Sequence, residues 1–174
     1  MIEVVVDSIR VSLINQQRIV VLREKDSDRH LVIWIGHAEA DAITLKLQGQ
    51  EVPRPMTHDL LKSVIESMGG TLDHVYIHDL RNDTYYATLV IEAGGRRLEI
   101  DSRSSDAIAL AIRAQAPIFV AETIMDRVGI APTEEEPTPA AAEEGEEQLG
   151  VFRDFLETLD LDDLGGEEEP PRKR

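Results

Sequence analysis

The sequence predicts an α+β fold in which a β3α2 unit (three strands, then two helices) occurs twice, followed by an acidic tail. Segments rich in β-branched residues alternate with segments of helical periodicity in that order. The segment Asp41–Leu47 aligns with Asp106–Ile112 at an offset of 65 residues, which indicates an internal repeat. We therefore expect one domain, residues 1–132, whose repeats 2–69 and 71–130 pack with pseudo-twofold symmetry.

The first repeat begins with three predicted strands and a short helix. β-Branched residues dominate the strands, and the pattern changes after Gly36, where apolar residues no longer alternate with polar ones. Trp34, in the third strand, is expected to lie in the core. The predicted strands are residues 2–13, 18–25 and 30–35, and the predicted helix is 37–47.

The second helix of this repeat is predicted from its first residues and its apolar stripe. Thr57 is a good N-cap, and Asp59 places a negative charge in the first turn, where it suits the helix dipole. Apolar residues then recur with helical spacing until Gly69-Gly70 ends the helix. The stripe consists of Leu60, Leu61, Val64, Ile65 and Met68.

The second repeat has clear turn signals between its strands. Asn82-Asp83-Thr84 and Gly94-Gly95 predict two tight turns in a run of three strands. Serines at 102, 104 and 105 are expected to cap the next helix. The predicted strands are 72–80, 85–93 and 97–101; a nearly all-apolar helix at 106–114, a short extended piece at 116–120 and a small helix at 121–128 follow.

Composition excludes several classes of site. The chain has no Cys, so disulfides, zinc–thiolate centres and cysteine nucleophiles are ruled out. Its N-terminal residues lack a signal-peptide pattern, and no apolar run approaches the roughly 18 residues that span a bilayer. We therefore expect a cytoplasmic protein without membrane segments.

The tail carries most of the formal net charge of −16. Residues 1–132 hold 19 acidic and 14 basic residues, whereas residues 133–174 hold 15 and 4. Residues 133–148 contain no large apolar residue and are expected to form a disordered acidic linker. Residues 149–164 have the periodicity of an amphipathic helix, either a frayed tail or a docking element, and residues 165–174 are expected to be a disordered terminus.

Several motifs together resemble the bifunctional nuclease family. The strongest is Asp101–Ala111 (DSRSSDAIALA), although the family usually has Pro where this chain has Ser104. Further agreement runs in order over residues 2–130, in Gly36 with Glu39-Ala40, Arg54-Pro55 with Thr57–Leu61, Tyr85-Tyr86-Ala87 and Pro117–Val120. The resemblance implies an α+β fold with an internal repeat, self-association, and RNase and DNase activity.

A nuclease needs an activated water and positive charge near the phosphoryl oxygens. Proteins supply these with carboxylates that hold a divalent metal, or with His and Arg or Lys. Candidate catalytic residues are Asp101, Asp106, His58 and Asp59, and candidate substrate-binding residues are Arg54 and Arg103. Asp101, Asp106 and Glu39 are candidate ligands for Mg²⁺ or Mn²⁺, and the nearby helix start favours a bound phosphate.

Each candidate also has a purely structural explanation. Asp59 and Asp106 would suit the dipoles of their helices whatever the function. Arg54 and Arg103 can pair with acidic neighbours, and His58 can be an ordinary surface residue. The sequence contains no metalloprotease zinc motif, Walker loop or nucleophile elbow.

The alternative function is a non-catalytic, oligomeric interaction module whose 149–164 helix binds a protein partner. Net negative charge opposes non-specific binding of nucleic acid, apart from a local patch of Arg54, Arg96, Arg97 and Arg103. A small-molecule sensor has no specific residues in its favour. For either main function we expect a homo-oligomer, because bare strand edges and the apolar 107–112 helix suggest a shared interface.

Overall fold

The computed structural model describes residues 1–11 and 17–131, which form a seven-stranded mixed sheet with four helices. The chain divides into two units, 1–132 and 133–174, and the described residues belong to the first. The predicted α+β class is confirmed. The elements are β1 (Ile2–Val11), β2 (Arg18–Glu24), β3 (His30–Ile35), α1 (His37–Leu47), α2 (Thr57–Ser67), β4 (Gly70–Arg81), β5 (Thr84–Ala93), β6 (Arg96–Arg103), α3 (Ser104–Ala114), β7 (Ile118–Val120) and α4 (Glu122–Val128).

The linker, amphipathic helix and terminus predicted at 133–148, 149–164 and 165–174 lie outside the described residues. Within those that are described, no helix is long and apolar enough to cross a membrane.

Two antiparallel meanders flank a central short strand in the order β3-β2-β1-β7-β4-β5-β6. Strand β7 pairs antiparallel with β1 and parallel with β4, so it joins the two halves into one sheet. The sequence predicted only an extended piece at 116–120, because three residues are too few for a strand pattern. The second half therefore contains a strand beyond the predicted β3α2 order, and the duplication itself stays a prediction.

The turn signals are confirmed by the backbone. Asn82 and Asp83 have φ of 47° and 58°, and Gly94 and Gly95 have φ of 57° and 70°. Two consecutive residues with positive φ match the right-handed twist of paired strands, so they make tight hairpins. Each turn sets the register of β4 with β5, or of β5 with β6.

Helix α3 lies at the centre of the core. Residues 107–111 are fully buried between the sheet and the other helices, because α1 and α2 pack against α3 on sides that do not face the strands. The apolar character of 107–112 is therefore explained within one chain. The inference from this helix to a subunit interface was wrong, because sequence alone does not show that α1 and α2 cover it.

Helix α2 turns most of its apolar stripe outwards, whereas Ile65 packs against the core. Leu60, Val64 and Met68 are exposed, Met68 by 80%, and His58 is the helix's one buried residue. Trp34, predicted in the core, is 58% exposed because it lies on the face of β3 opposite to the buried Leu31 and Ile33. The helix itself is confirmed, but its stripe is left for another surface to cover.

The predicted caps of both polar helix starts were wrong by one position or more. Met56 rather than Thr57 occupies the N-cap of α2, and Asp59 Oδ2 accepts a hydrogen bond from the Met56 backbone N–H at 3.0 Å. Arg103 occupies the N-cap of α3, while Ser104 and Ser105 lie buried in its first turn. Because Met56 and Arg103 occupy the N-cap positions, the polar side chains at the starts of α2 and α3 are available for other contacts.

Candidate functional site

Three junctions that are far apart in the sequence meet at one place. They are the start of α1, the start of α2 and the passage from β6 to α3. Four side chains from these junctions form one bonded cluster, which we call the Arg103 cluster: Glu39, His58, Arg103 and Asp106.

Arg103 links two carboxylates from different halves of the chain. Its Nε donates to Asp106 Oδ2 at 2.6 Å, and its Nη2 donates to Glu39 Oε1 at 2.6 Å. The Arg103 side chain is 68% exposed, whereas that of Glu39 is mostly buried. The two acids thus hold the guanidinium by one side and leave the rest of it open to solvent.

A missing side chain makes room for Glu39. A Cβ added to Gly36 would come within 2.2 Å of Glu39 Oε2, so a larger residue at position 36 would displace the flexible end of the Glu39 side chain. The observed position of Glu39 also puts its negative charge beside the positive end of the α1 dipole. Gly36 thus leaves the space in which the Glu39 carboxylate reaches Arg103.

Asp106 stays ionised because of its neighbours. Burial opposes its ionisation, but the hydrogen bonds from Arg103 and His58 outweigh this effect and lower the pKa of the Asp106 carboxyl. The same two acids, Asp106 and Glu39, raise the pKa of Arg103, so the guanidinium keeps its charge. The cluster therefore exposes an ionised guanidinium that is already paired with two carboxylates.

His58 supports the cluster from the inside. It is only 7% exposed, and its Nε2 lies 3.0 Å from Asp106 Oδ1. An ionised carboxylate only accepts, so Nε2 is the donor in this hydrogen bond. Nδ1 is buried and has no hydrogen-bond partner among the described residues. Because His58 is buried, it would act on a bound substrate only through its hydrogen bond to Asp106.

A second ion pair, missed in the sequence, lies about two helical turns further along α3. Arg113 Nε donates to Asp59 Oδ1 at 2.8 Å, and its Nη1 and Nη2 donate to the carbonyls of Ala109 and Ala42. These bonds tie α1, α2 and α3 together. A lone charged residue near the end of an otherwise apolar, buried helix was the signal that could have revealed it.

Two predicted site residues stand apart from the cluster. Asp101 is exposed on β6, opposite Thr88, and Arg54 is exposed in the loop before α2. Neither makes a hydrogen bond or ion pair with the residues that the structure describes. Asp59 is engaged by Arg113 rather than by the cluster.

The donor set does not fit a preformed metal centre. Across residues 1–11 and 17–131, no three His, Asp or Glu side chains converge closely enough to hold a metal ion. Arg103 itself occupies the space between Glu39 and Asp106, where a cation would otherwise bridge the acids.

The Arg103 cluster is able to bind an oxyanion through the open side of its guanidinium. Arginine carries five N–H donors, and Nη1 of Arg103 makes no hydrogen bond to the described residues. The first backbone N–H groups of α3 follow directly and add the positive end of a helix dipole. Arginine in this setting recognises phosphate or carboxylate groups.

The chain is similar to several known proteins. An uncharacterised protein of Mycobacterium tuberculosis is 39% identical over 162 residues, covering 93% of this chain and 97% of that protein. Bifunctional nuclease 1 of Oryza sativa subsp. japonica is 29% identical over 138 residues, which is 78% of this chain and 41% of the rice protein. Bifunctional nuclease 2 of the same rice is 29% identical over 118 residues, or 66% of this chain and 36% of its own length. The model of the bifunctional nuclease domain matches residues 20–133, and the chain belongs to that family.

Proposed function

We propose that this protein is a nuclease that hydrolyses phosphodiester bonds of RNA or DNA at the Arg103 cluster. The observation that carries the proposal is the exposed Arg103 guanidinium, held by two carboxylates at the start of α3. A phosphodiester carries the charge that this group recognises, and two rice relatives with the same domain are named bifunctional nucleases.

Arg103 is the phosphate-binding residue in this proposal. Its charge stabilises the negative charge that grows on the phosphoryl oxygens when water attacks. Asp106 and Glu39 position the guanidinium, and His58 positions Asp106 through its Nε2 proton. Because these partners are already in place, the guanidinium needs little reorganisation when substrate binds.

Asp101 is the proposed acceptor for the proton of the attacking water. It lies two residues before Arg103 on β6, so both side chains leave the same face of the strand, about 7 Å apart along it. Unlike Asp106, its carboxylate is not engaged by a described residue. Arg54 is proposed as a second phosphate contact, and Asp59 as a structural residue held by Arg113.

The test is cleavage of end-labelled single-stranded RNA and DNA by highly purified full-length protein. Removing one preorganised donor from a transition state typically costs about 100-fold or more in rate. We therefore expect Arg103→Gln and Asp101→Asn to lose about this factor while the far-UV circular dichroism spectrum is unchanged. Arg10→Gln is the matched control, because Arg10 is an exposed arginine on β1 and lies outside the patch of Arg54, Arg96, Arg97 and Arg103.

The same assay distinguishes cleavage at the Arg103 cluster from cleavage by a contaminating nuclease. Equal cleavage by wild type and by Arg103→Gln would contradict the proposal. Parallel reactions with EDTA, Mg²⁺ and Mn²⁺ show whether a divalent metal takes part together with the substrate.

The alternative is a non-catalytic interaction module, and the exposed stripe of α2 favours it. We infer that this stripe is the surface through which copies of the chain form a homo-oligomer, because adjacent exposed apolar residues on one helix are costly in water. Light scattering of the wild type then gives a mass above the 19.4 kDa of one chain. We expect Val64→Glu to lower the measured mass to that of the monomer and the polar control Ser67→Glu to leave the mass unchanged. A wild-type protein that is monomeric would contradict this inference.

Three further expectations belong with these proposals. The cytoplasmic location, the origin of the fold by duplication and a protein partner for residues 149–164 rest on sequence patterns alone.

A further inference from the structure

The sheet has a polar pocket that is separate from the Arg103 cluster. In β4, Val75 and Ile77 are fully buried beneath the helices, so the alternating residues His74 and Tyr76 leave the other face of the sheet. A pocket of about 460 Å³ opens on that face, across strands β4, β5 and β6. Its size lies within the range of small-molecule sites.

Aromatic rings form one side of this pocket. His74, Tyr76 and His78 line it. The ring centroids of Tyr76 and His78 are 5.8 Å apart, and His74 packs edge-on against Phe119 at 5.4 Å. The rings of Tyr76 and His78 are tilted by 47° to each other, so a planar ligand can stack on one of them rather than on all.

Charged side chains from β6 form the opposite side. Arg97 and Glu99 both line the pocket, and Arg97 Nε lies 3.6 Å from Glu99 Oε1. A contact at this distance is too long for a strong hydrogen bond, so most of the donors of Arg97 remain available. The pocket therefore combines a cation, an acceptor and an aromatic surface.

We propose that this pocket binds a nucleoside phosphate. The base stacks on Tyr76, Arg97 neutralises the phosphate, and Glu99 accepts hydrogen bonds from ribose hydroxyls. A purely apolar ligand would leave both charged groups unpaired in the pocket. A free phosphate would leave the aromatic side unused, so a ligand with both parts fits best.

The position of the pocket allows two sources for this ligand. Tyr76 pairs with Thr88, and Thr88 pairs with Asp101, so the pocket and Asp101 share one face of the sheet. The ligand is either a free mononucleotide or one unit of a single strand that continues towards Arg103. The binding inference does not depend on the proposed cleavage, because it needs no reaction.

The test is isothermal titration of the full-length protein with adenosine 5′-monophosphate, and with adenosine and inorganic phosphate as separate probes. We expect the monophosphate to bind more tightly than either part. Loss of a hydrogen bond to a charged group weakens binding by about tenfold or more, so Arg97→Gln should do this. Arg96→Gln, which removes the same charge from the neighbouring residue on the opposite face of β6, should change Kd by less than about twofold.

NMR signals of the histidine rings give a readout that does not depend on variants. On adding the monophosphate, the ring signals of His74 and His78 should shift, and those of His30 and His37, on other elements, should not. A short single-stranded DNA that competes with the monophosphate identifies the ligand as part of a strand; binding of the monophosphate without competition identifies a free nucleotide. Absence of binding by both ligands, or equal weakening by Arg97→Gln and Arg96→Gln, would overturn the proposal.

Discussion

Replacing Arg113 with Met tests the internal support of the Arg103 cluster. The change keeps the length of the side chain but removes its charge and its three hydrogen bonds, to Asp59 and to two helix carbonyls. The Arg113 side chain is only 3% exposed, while that of Asp59 is 34% exposed. After the change, Asp59 is therefore partly rehydrated, which limits the cost.

The expected loss of stability follows from these exposures. Removing one member of a buried ion pair costs about 3–5 kcal/mol, and the accessible Asp59 places Arg113→Met near the lower value. For a domain of this size, that corresponds to a decrease of about 10 °C in Tm. Asp59→Asn should cost at least as much, because it leaves the guanidinium of Arg113 buried without its counter-charge.

Thermal and urea unfolding, followed by circular dichroism at 222 nm, measure these effects. Arg96→Met is the control and should change Tm by no more than about 2 °C, because Arg96 is exposed. The double variant Arg113→Met/Asp59→Asn should lose less than the sum of the two single changes. A Tm for Arg113→Met within about 2 °C of wild type, or additivity within about 0.5 kcal/mol, would refute the assigned role.

Further predictions concern pH, a turn and the tail. The pKa of Asp106 is lower in the fold than its ordinary value of 3.8. The stability that the ionised Asp106 contributes is therefore complete above pH 3.8 and is lost as the pH falls through the lower pKa of the folded state. Tm measured from pH 6 to pH 2 should fall less steeply for Asp106→Asn than for wild type. Asp83 has a φ of 58°, so Asp83→Gly should raise the unfolding free energy by about 0.5–1 kcal/mol, and an unchanged or lower value in urea would contradict this. Truncation after residue 132 should leave Tm nearly unchanged, since 133–148 has no large apolar residue, and a large decrease would show instead that the 149–164 helix contributes to the core.

Local patterns in the sequence were enough for most secondary structure. Strand β3 and helix α1 have the predicted bounds, and both tight turns lie where Asn82-Asp83 and Gly94-Gly95 place them. These features depend on neighbouring residues, through backbone conformation and periodicity, and such information is present in a short window of sequence. The family resemblance is likewise carried by short motifs, and the comparisons confirm it.

Contacts between distant segments could not be read in this way. Whether the stripe of α2 points inwards depends on how α3 fills the space beneath the sheet, so only the fold shows that Met68 is exposed and Ala109 is buried. Strand β7 is recognisable as a strand because β1 and β4 supply its hydrogen bonds.

In the candidate site, too, the types of residue were predictable from the sequence and the contacts between distant segments were not. Glu39, His58, Arg103 and Asp106 were each chosen from the chemistry of their side chains and their nearness to helix starts. Arg103 and Asp106 are three residues apart, but Glu39 and His58 reach them across 64 and 48 residues of sequence, so no local pattern could show that the four side chains meet. Arg113 was missed for the same reason, because its partner Asp59 lies 54 residues away. Residue type and local spacing identify groups that are able to bind a phosphate, and the packing of three helices against one sheet selects which of them act together.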